Sequence, residues 1–212
     1  MLRTALLCVA LLWAAYAGAA RLTHGFQAWT AEGARRLEVA RSPVPAPAVP
    51  VQGPGVAAPD LRALLANGRD ATVVEFIYTR CETLCLAGGA IFQQMQEALQ
   101  ARPPSGESGR VRLLSISFDP ARDGVTELSA YAKRMRADSR WWNVVRVPQA
   151  ADTERLLDAF RVVVVPSGGG DFEHNAALLV VDRDGRLVRI FDLAQQQLAL
   201  DYALHLADGG TP

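Results

Sequence analysis

Two cysteines lie four positions apart in Cys81-Glu82-Thr83-Leu84-Cys85, directly after the apolar and aromatic run TVVEFIY at 72–78. Where a strand ends and a helix begins near Cys81, this spacing sets both sulfurs one turn apart on one helix face. The unsatisfied N–H groups and dipole of a helix N-terminus stabilise thiolate, and Arg80 adds positive charge. Thiolate ligates soft metal ions and also attacks disulfides, so the pair fits metal binding or thiol–disulfide exchange. The bland alternative is two unrelated helix cysteines, and the strand-to-helix placement argues against it.

Two thiolates do not complete a structural zinc site, which takes four ligands. A further donor is His174, in Phe172-Glu173-His174-Asn175-Ala176, after the Gly-rich stretch 167–171 and before an apolar strand. A loop entering a central strand there can approach the sheet edge that carries the cysteines. Two thiolates and one imidazole suit copper, Cu(I) in particular. Alone, a histidine in such a place is structural or solvent-exposed. His205 on a terminal helix and His24 beside the N-terminal segment read in that plain way.

The elements that must position these residues follow from periodicity. A short helix over 61–66 ends at Asn67-Gly68. Strands are expected at 72–78, 111–118 and 144–147, and helices at 87–100, 126–136 and 153–160. An edge strand at 162–165 is expected to stop at Pro166, with 167–171 as a flexible loop. The segments 177–182 and 187–192 read as a hairpin turning at Arg183-Asp184-Gly185. A helix over 195–207 closes the chain. Strands alternating with helices predict an α/β fold, a central sheet with helices on both faces, and ligands bind such sheets at the C-terminal strand edge.

Upstream, Arg3, an apolar run over 5–20 and Arg21 have the form of a signal peptide or N-terminal membrane anchor over residues 1–20. The run is slightly short for spanning, which takes about 20 apolar residues, but snorkelling flanks allow it. Cys8 inside it is an apolar filler. Either form sends the rest of the chain out of the cytoplasm, where disulfides persist. Residues 21–59 follow as a linker, partly helical before 41 and then proline-rich, an extended linker or surface strap. The globular domain is expected over 60–212.

Composition limits the alternatives. The chain has 212 residues, half of them hydrophobic, and a formal net charge of zero. Interspersed, balanced charge argues against nucleic-acid binding, which relies on clustered cations. Three cysteines do not make a disulfide scaffold. No phosphate loop or dinucleotide fingerprint follows the first strand. A peroxide-reducing thiol is conceivable for the cysteine pair, but no distinct feature asks for it. Trp141-Trp142 could mark a partner surface, although burial of at least one fits better.

The segment Phe76-Ile77-Tyr78-Thr79-Arg80-Cys81-Glu82-Thr83-Leu84-Cys85 resembles the copper motif of the Sco/SenC family of thioredoxin-like proteins. Ser115-Ile116-Ser117-Phe118-Asp119-Pro120-Ala121-Arg122-Asp123 is similar to that family's strand with Asp-Pro and a further Asp. His174 with the apolar strand up to Asp182-Arg183-Asp184-Gly185 resembles its histidine and hairpin. The segments keep the family's order across roughly 60–205. The resemblance implies a thioredoxin-like sandwich with a central mixed sheet flanked by helices. It implies copper delivery to the binuclear copper site of cytochrome c oxidase, with Cys81, Cys85 and His174 as copper ligands. It also implies a thiol–disulfide role in keeping that site's cysteines reduced. The partner would be the oxidase's copper-bearing subunit or another copper or thiol protein. The location would be periplasmic or otherwise extracytoplasmic, anchored to the inner membrane by residues 5–20. Asp119 reads as an acidic residue near the site or a turn residue. Glu82 and Leu86 stand where the family often has proline, and the charge on Glu82 opposes thiolate while favouring a bound cation. The alternative reading is an exported thiol–disulfide oxidoreductase acting through Cys81 and Cys85 as a redox-active pair.

Overall fold

The computed structural model describes residues 2–80, 84–102 and 110–211, with residues 84–87 described by backbone alone. In chain order the elements begin with α1 (Leu2–Leu22), α2 (Ala31–Arg41), β1 (Val44–Pro45), α3 (Leu61–Leu65), β2 (Ala71–Ile77) and α4 (Leu84–Gln100). Next come β3 (Val111–Ser117), α5 (Val125–Arg134), β4 (Trp142–Arg146), α6 (Ala150–Phe160) and β5 (Val164–Gly168). The chain ends with β6 (Asp171–His174), β7 (Leu178–Asp182), β8 (Arg186–Phe191) and α7 (Gln196–Ala207).

Six strands form a mixed sheet in the order β1-β8-β7-β2-β3-β4. The strands β2, β3 and β4 run parallel, while β7 joins β2, and β8 joins β7, antiparallel. β2 and β3 are buried at every position. That explains their near-continuous apolar sequences, because strands covered on both faces have no solvent side to alternate toward. Successive side chains point to opposite faces. On one face α4 and α7 pack together over the sheet. On the other, Phe160 of α6 meets Phe76 of β2 edge-on, 6.2 Å between centroids. The result is the α/β sandwich with a central mixed sheet expected from the sequence.

Residues 42–59 run over this sheet from edge to edge. Their prolines cannot donate to a ladder, so pairing is intermittent. β1 pairs antiparallel with β8 at one edge. Ala46, Val49 and Val51 are then buried in the core. At the other edge the Gln52 N–H donates to Arg146 C=O (3.0 Å), and the Arg146 N–H returns to Gln52 C=O (2.8 Å). The strap thereby covers both sheet edges, which would otherwise present unpaired backbone groups. α2 also docks. Thr30 caps it by accepting from the Gly33 N–H, Val39 is buried, and Arg35 donates to the Phe160 carbonyl. α1 is long and apolar enough to cross a membrane and buries none of its side chains.

The sequence reading fails at one place. Pro166 does not stop a strand at 165. β5 runs through it to Gly168 and pairs with β6 in a separate two-stranded ribbon, with a register shift between Pro166 and Gly168. A proline is tolerated there because the ribbon has a free edge and a bulge to absorb the missing donor. Gly168, Gly169 and Gly170 all have positive φ, so the expected flexible loop is the ribbon's tight turn. His174 lies on a strand rather than in a loop.

Val49 tests whether the strap belongs to the folded unit. Val49→Ala is expected to lower stability by about 2 kcal/mol, through lost burial and the cavity left behind. Urea unfolding followed by circular dichroism would read it; an unchanged midpoint would mean the strap is only draped over the domain.

Candidate metal centre

β2 carries the chain to the cysteines, and its end is tightly held. The Thr79 N–H donates to Asp123 Oδ2 (2.9 Å), the Thr79 hydroxyl donates to Oδ1 (2.6 Å), and its carbonyl accepts from Arg134 (3.1 Å). Asp123 is buried and also accepts from the Ser117 hydroxyl (2.5 Å). One carboxylate thus ties the end of β2 to the end of β3 through charge-assisted hydrogen bonds. Asp119 has the turn role. Its carbonyl accepts the Arg122 and Asp123 N–H groups, and its carboxylate accepts from Arg122.

Cys81 lies outside the described residues. Cys85 lies in the first turn of α4, whose backbone begins at Leu84. The strand-to-helix passage expected around the pair is therefore present, with β2 ending at Ile77.

Two glycines let α4 approach its neighbours closely, Gly88 toward the sheet and Gly89 toward the end of α5. A Cβ on Gly88, three residues on from Cys85, would lie 2.6 Å from Glu75 Oε2. One on Gly89 would lie 2.6 Å from Met135 Sδ. Glu75 is 4% exposed. Its Oε1 accepts from the Ser115 hydroxyl (2.6 Å), whose oxygen in turn accepts from Trp142 Nε1 (2.8 Å). Burial pushes the Glu75 carboxyl up to about 8, with the Ser115 bond opposing the shift. The acid form therefore prevails at neutral pH.

His174 reaches the same place from β6. Its ring packs against Phe118 (5.2 Å between centroids), and Phe118 and Phe172 both pack against Tyr78. Arg122 holds the ribbon's turn, with its guanidinium over the Phe172 ring and a hydrogen bond to the Gly170 carbonyl. Both ring nitrogens of His174 are buried and have no hydrogen-bond partner among the described residues. Burial pushes its pKa below the usual histidine value, so the ring is neutral at pH 7. Orphaned buried polar atoms cost about 1–3 kcal/mol each, and a neutral imidazole with an open nitrogen is the form that ligates metal. His174 and Gly88 line one small cavity together with Glu75 and Leu193. The structure thus brings His174 to the start of the helix that bears Cys85, and the donor set fits a soft cation.

The other histidines have local explanations. His24 pairs with Glu38 (3.3 Å), and His205 lies in the last turn of α7. Trp142 is buried, as expected for at least one of the two tryptophans. Sequence reasoning missed Glu75, Asp123 as an anchor, and the Tyr78–Phe118–Phe172 cluster. Glu75 left a signal, a lone carboxylate inside the apolar run TVVEFIY.

The fold is a thioredoxin-like sandwich with a cysteine in the first turn of the helix after its central strand and a half-buried histidine beside that helix. A sequence profile of the SCO1/SenC family matches residues 67–205. The chain belongs to the SCO1/SenC family. It is 26% identical over 122 residues to the SCO1 protein homolog of Bacillus subtilis (strain 168), a match over 57% of this chain and 61% of that protein. The chain thus matches under two thirds of that relative's length. A SCO1/SenC family lipoprotein from Bacillus anthracis str. Ames has a similar structure, with TM-score 0.64, 19% identity, and coverage of 79% of this chain and 98% of that one. The copper-bound ScoI of Bradyrhizobium japonicum gives TM-score 0.53 and 23% identity, covering 66% of this chain and 87% of that one. Copper-bound yeast Sco1 gives 0.56 and 16%, covering 70% and 82%. At these identities the structural likeness bears on the fold.

Glu75 makes stability depend on pH. Its folded pKa, about 8, lies above the ordinary 4.5. The stability from keeping it protonated is fully present below about pH 4.5 and is lost as pH rises through about 8. Glu75→Gln removes this loss. The variant is expected to match the parent near pH 4 and to exceed it by a few kcal/mol above pH 8. Thermal melts across that range would show it, and a parallel offset at every pH would contradict the assignment.

Proposed function

We propose that this protein is a copper chaperone that serves assembly of the binuclear copper site of cytochrome c oxidase. Cys81, Cys85 and His174 would hold the copper. The observation that carries this reading is the pair of buried ring nitrogens on His174, without a hydrogen-bond partner among the described residues and beside the first turns of α4. Family membership and copper-bound relatives support it. Copper here is cargo. Two thiolates and an imidazole are soft enough to retain Cu(I) and few enough to release it to a competing thiol site. Asp123 would hold the approach to Cys81, and the aromatic cluster would hold the imidazole. The recipient would be the copper-bearing subunit of the oxidase or another copper or thiol protein. The chain would act on the periplasmic or extracytoplasmic side, anchored to the inner membrane through residues 5–20 of α1.

A second reading is an exported thiol–disulfide oxidoreductase using Cys81 and Cys85. It is favoured by the place of Cys85 in the first turn of α4, where helix N–H groups support thiolate. A relative, BsSco, is described as containing a disulfide switch. Exchange needs only the cysteines.

Copper uptake by the reduced full chain in detergent separates the two. About one copper per monomer is expected, lost alike in Cys81→Ala, Cys85→Ala and His174→Ala. A reduced protein that takes up no copper would overturn the chaperone reading. Disulfide exchange that survives in His174→Ala, in a protein without copper uptake, would establish the second.

A further inference from the structure

A cavity lies at the other end of the parallel strands from the candidate metal centre. It measures about 550 Å³ and is walled by residues 55–59 of the strap and the end of α3. Its polar lining is Asn67, Arg69, Arg112 and Asn143. Arg112 is the second residue of β3, five positions before Ser117 and so about 17 Å along the strand from the end that serves the candidate metal centre.

Arg112 is 4% exposed. Of its five N–H donors, Nη2 contacts the Leu65 carbonyl (3.3 Å) and Thr72 Oγ1 (3.2 Å). Nε is buried and has no partner. No carboxylate among the described residues reaches it. Arg69, which donates to the Arg140 carbonyl, is near enough to add repulsion. Burial and that repulsion lower the Arg112 pKa to about 10, so it is still a cation at neutral pH. A buried charge is costly unless an opposite charge and hydrogen bonds meet it. Here the fold supplies Arg112 with neutral acceptors and sets a second cation near it, and both residues line the cavity.

We propose that this cavity binds a small molecule carrying an oxyanion, a phosphate or a carboxylate, with Arg112 as its buried anchor and Arg69 at its rim. The Arg112 cation matches either anionic group through the guanidinium donors not spent on Leu65 and Thr72, and the amides of Asn67 and Asn143 can accept or donate to the rest of the ligand. The volume is in the range of small-molecule pockets rather than that of a single water or chloride ion. The proposal does not depend on copper chemistry, since none of the residues involved belongs to the metal centre.

The test uses the full chain in detergent with three probes: inorganic phosphate, citrate, and sodium chloride at matched ionic strength. Isothermal calorimetry and thermal shift are both read. Saturable binding of phosphate or citrate, with a rise in melting temperature that chloride does not give, is expected. Which probe binds tells phosphate from carboxylate chemistry. Arg112→Gln, which retains a donor toward Thr72, should weaken binding by about tenfold or more. Arg69→Gln, a milder change at the rim, should weaken it in the same direction. Copper uptake should be unchanged in both variants. Heats and shifts no larger than those with chloride, or binding that persists undiminished in both variants, would overturn the proposal.

Discussion

Gly88 and Gly89 leave no side chain between the first turns of α4 and their neighbours, the sheet under Gly88 and the end of α5 beside Gly89, and much else follows from that close approach. Glu75 and Met135 fill the space a Cβ would take. The helix with Cys85 in its first turn therefore lies low over the sheet, with Gly88 beside a buried carboxyl group rather than a wall of aliphatic atoms. Ser115 and Trp142 extend that group into a hydrogen-bonded row running across three parallel strands. Buried hydrogen-bonded rows of this kind favour one arrangement of the layers, because a shift strands a polar atom in a low-dielectric interior.

The site is then assembled from two kinds of support. On the cysteine side the support is polar: Asp123 fixes Thr79 to Ser117, and Arg134 takes the Thr79 carbonyl. On the histidine side it is aromatic, with Phe118, Phe172 and Tyr78 packed around one another and Phe118 against the imidazole. The polar side sets direction, since hydrogen bonds to a carboxylate are angular. The aromatic side sets distance, and the ring nitrogens have no hydrogen-bond partner among the described residues.

Much of this was legible in the sequence where local signals and tertiary outcome agree. The β-branched runs at 72–78 and 111–118 are the central strands because such runs fit strands covered on both faces. Arg183-Asp184-Gly185 turns the β7–β8 hairpin, with Gly185 at positive φ and Asp182 accepting from the Asp184 and Arg186 N–H groups. The β5–β6 ribbon was not legible. Pro166 reads locally as a terminator, and only a partner strand beyond three glycines reveals otherwise. Glu75 shows in the sequence as an oddity, but its role depends on Gly88, thirteen positions away and meeting it only through the fold. The strap's edge-to-edge path was hidden for a similar reason. Proline predicts extension but not what an extended segment lies against.

The two-stranded ribbon that carries His174 stands apart from the six-stranded sheet. A lone pair of strands is marginal in water, so this one depends on its ring contacts and on Arg122 at its turn. β2 and β3, by contrast, are buried throughout and paired on both sides. Local opening can therefore detach the ribbon without disturbing the strands that lead to the cysteines. In hydrogen-exchange terms, the imidazole sits on the element expected to open first, and β2, which leads toward the cysteines, on one expected to open only with the whole domain. A ligand held from both sides would join the two units, so its arrival and departure would be registered as protection gained and lost in the ribbon.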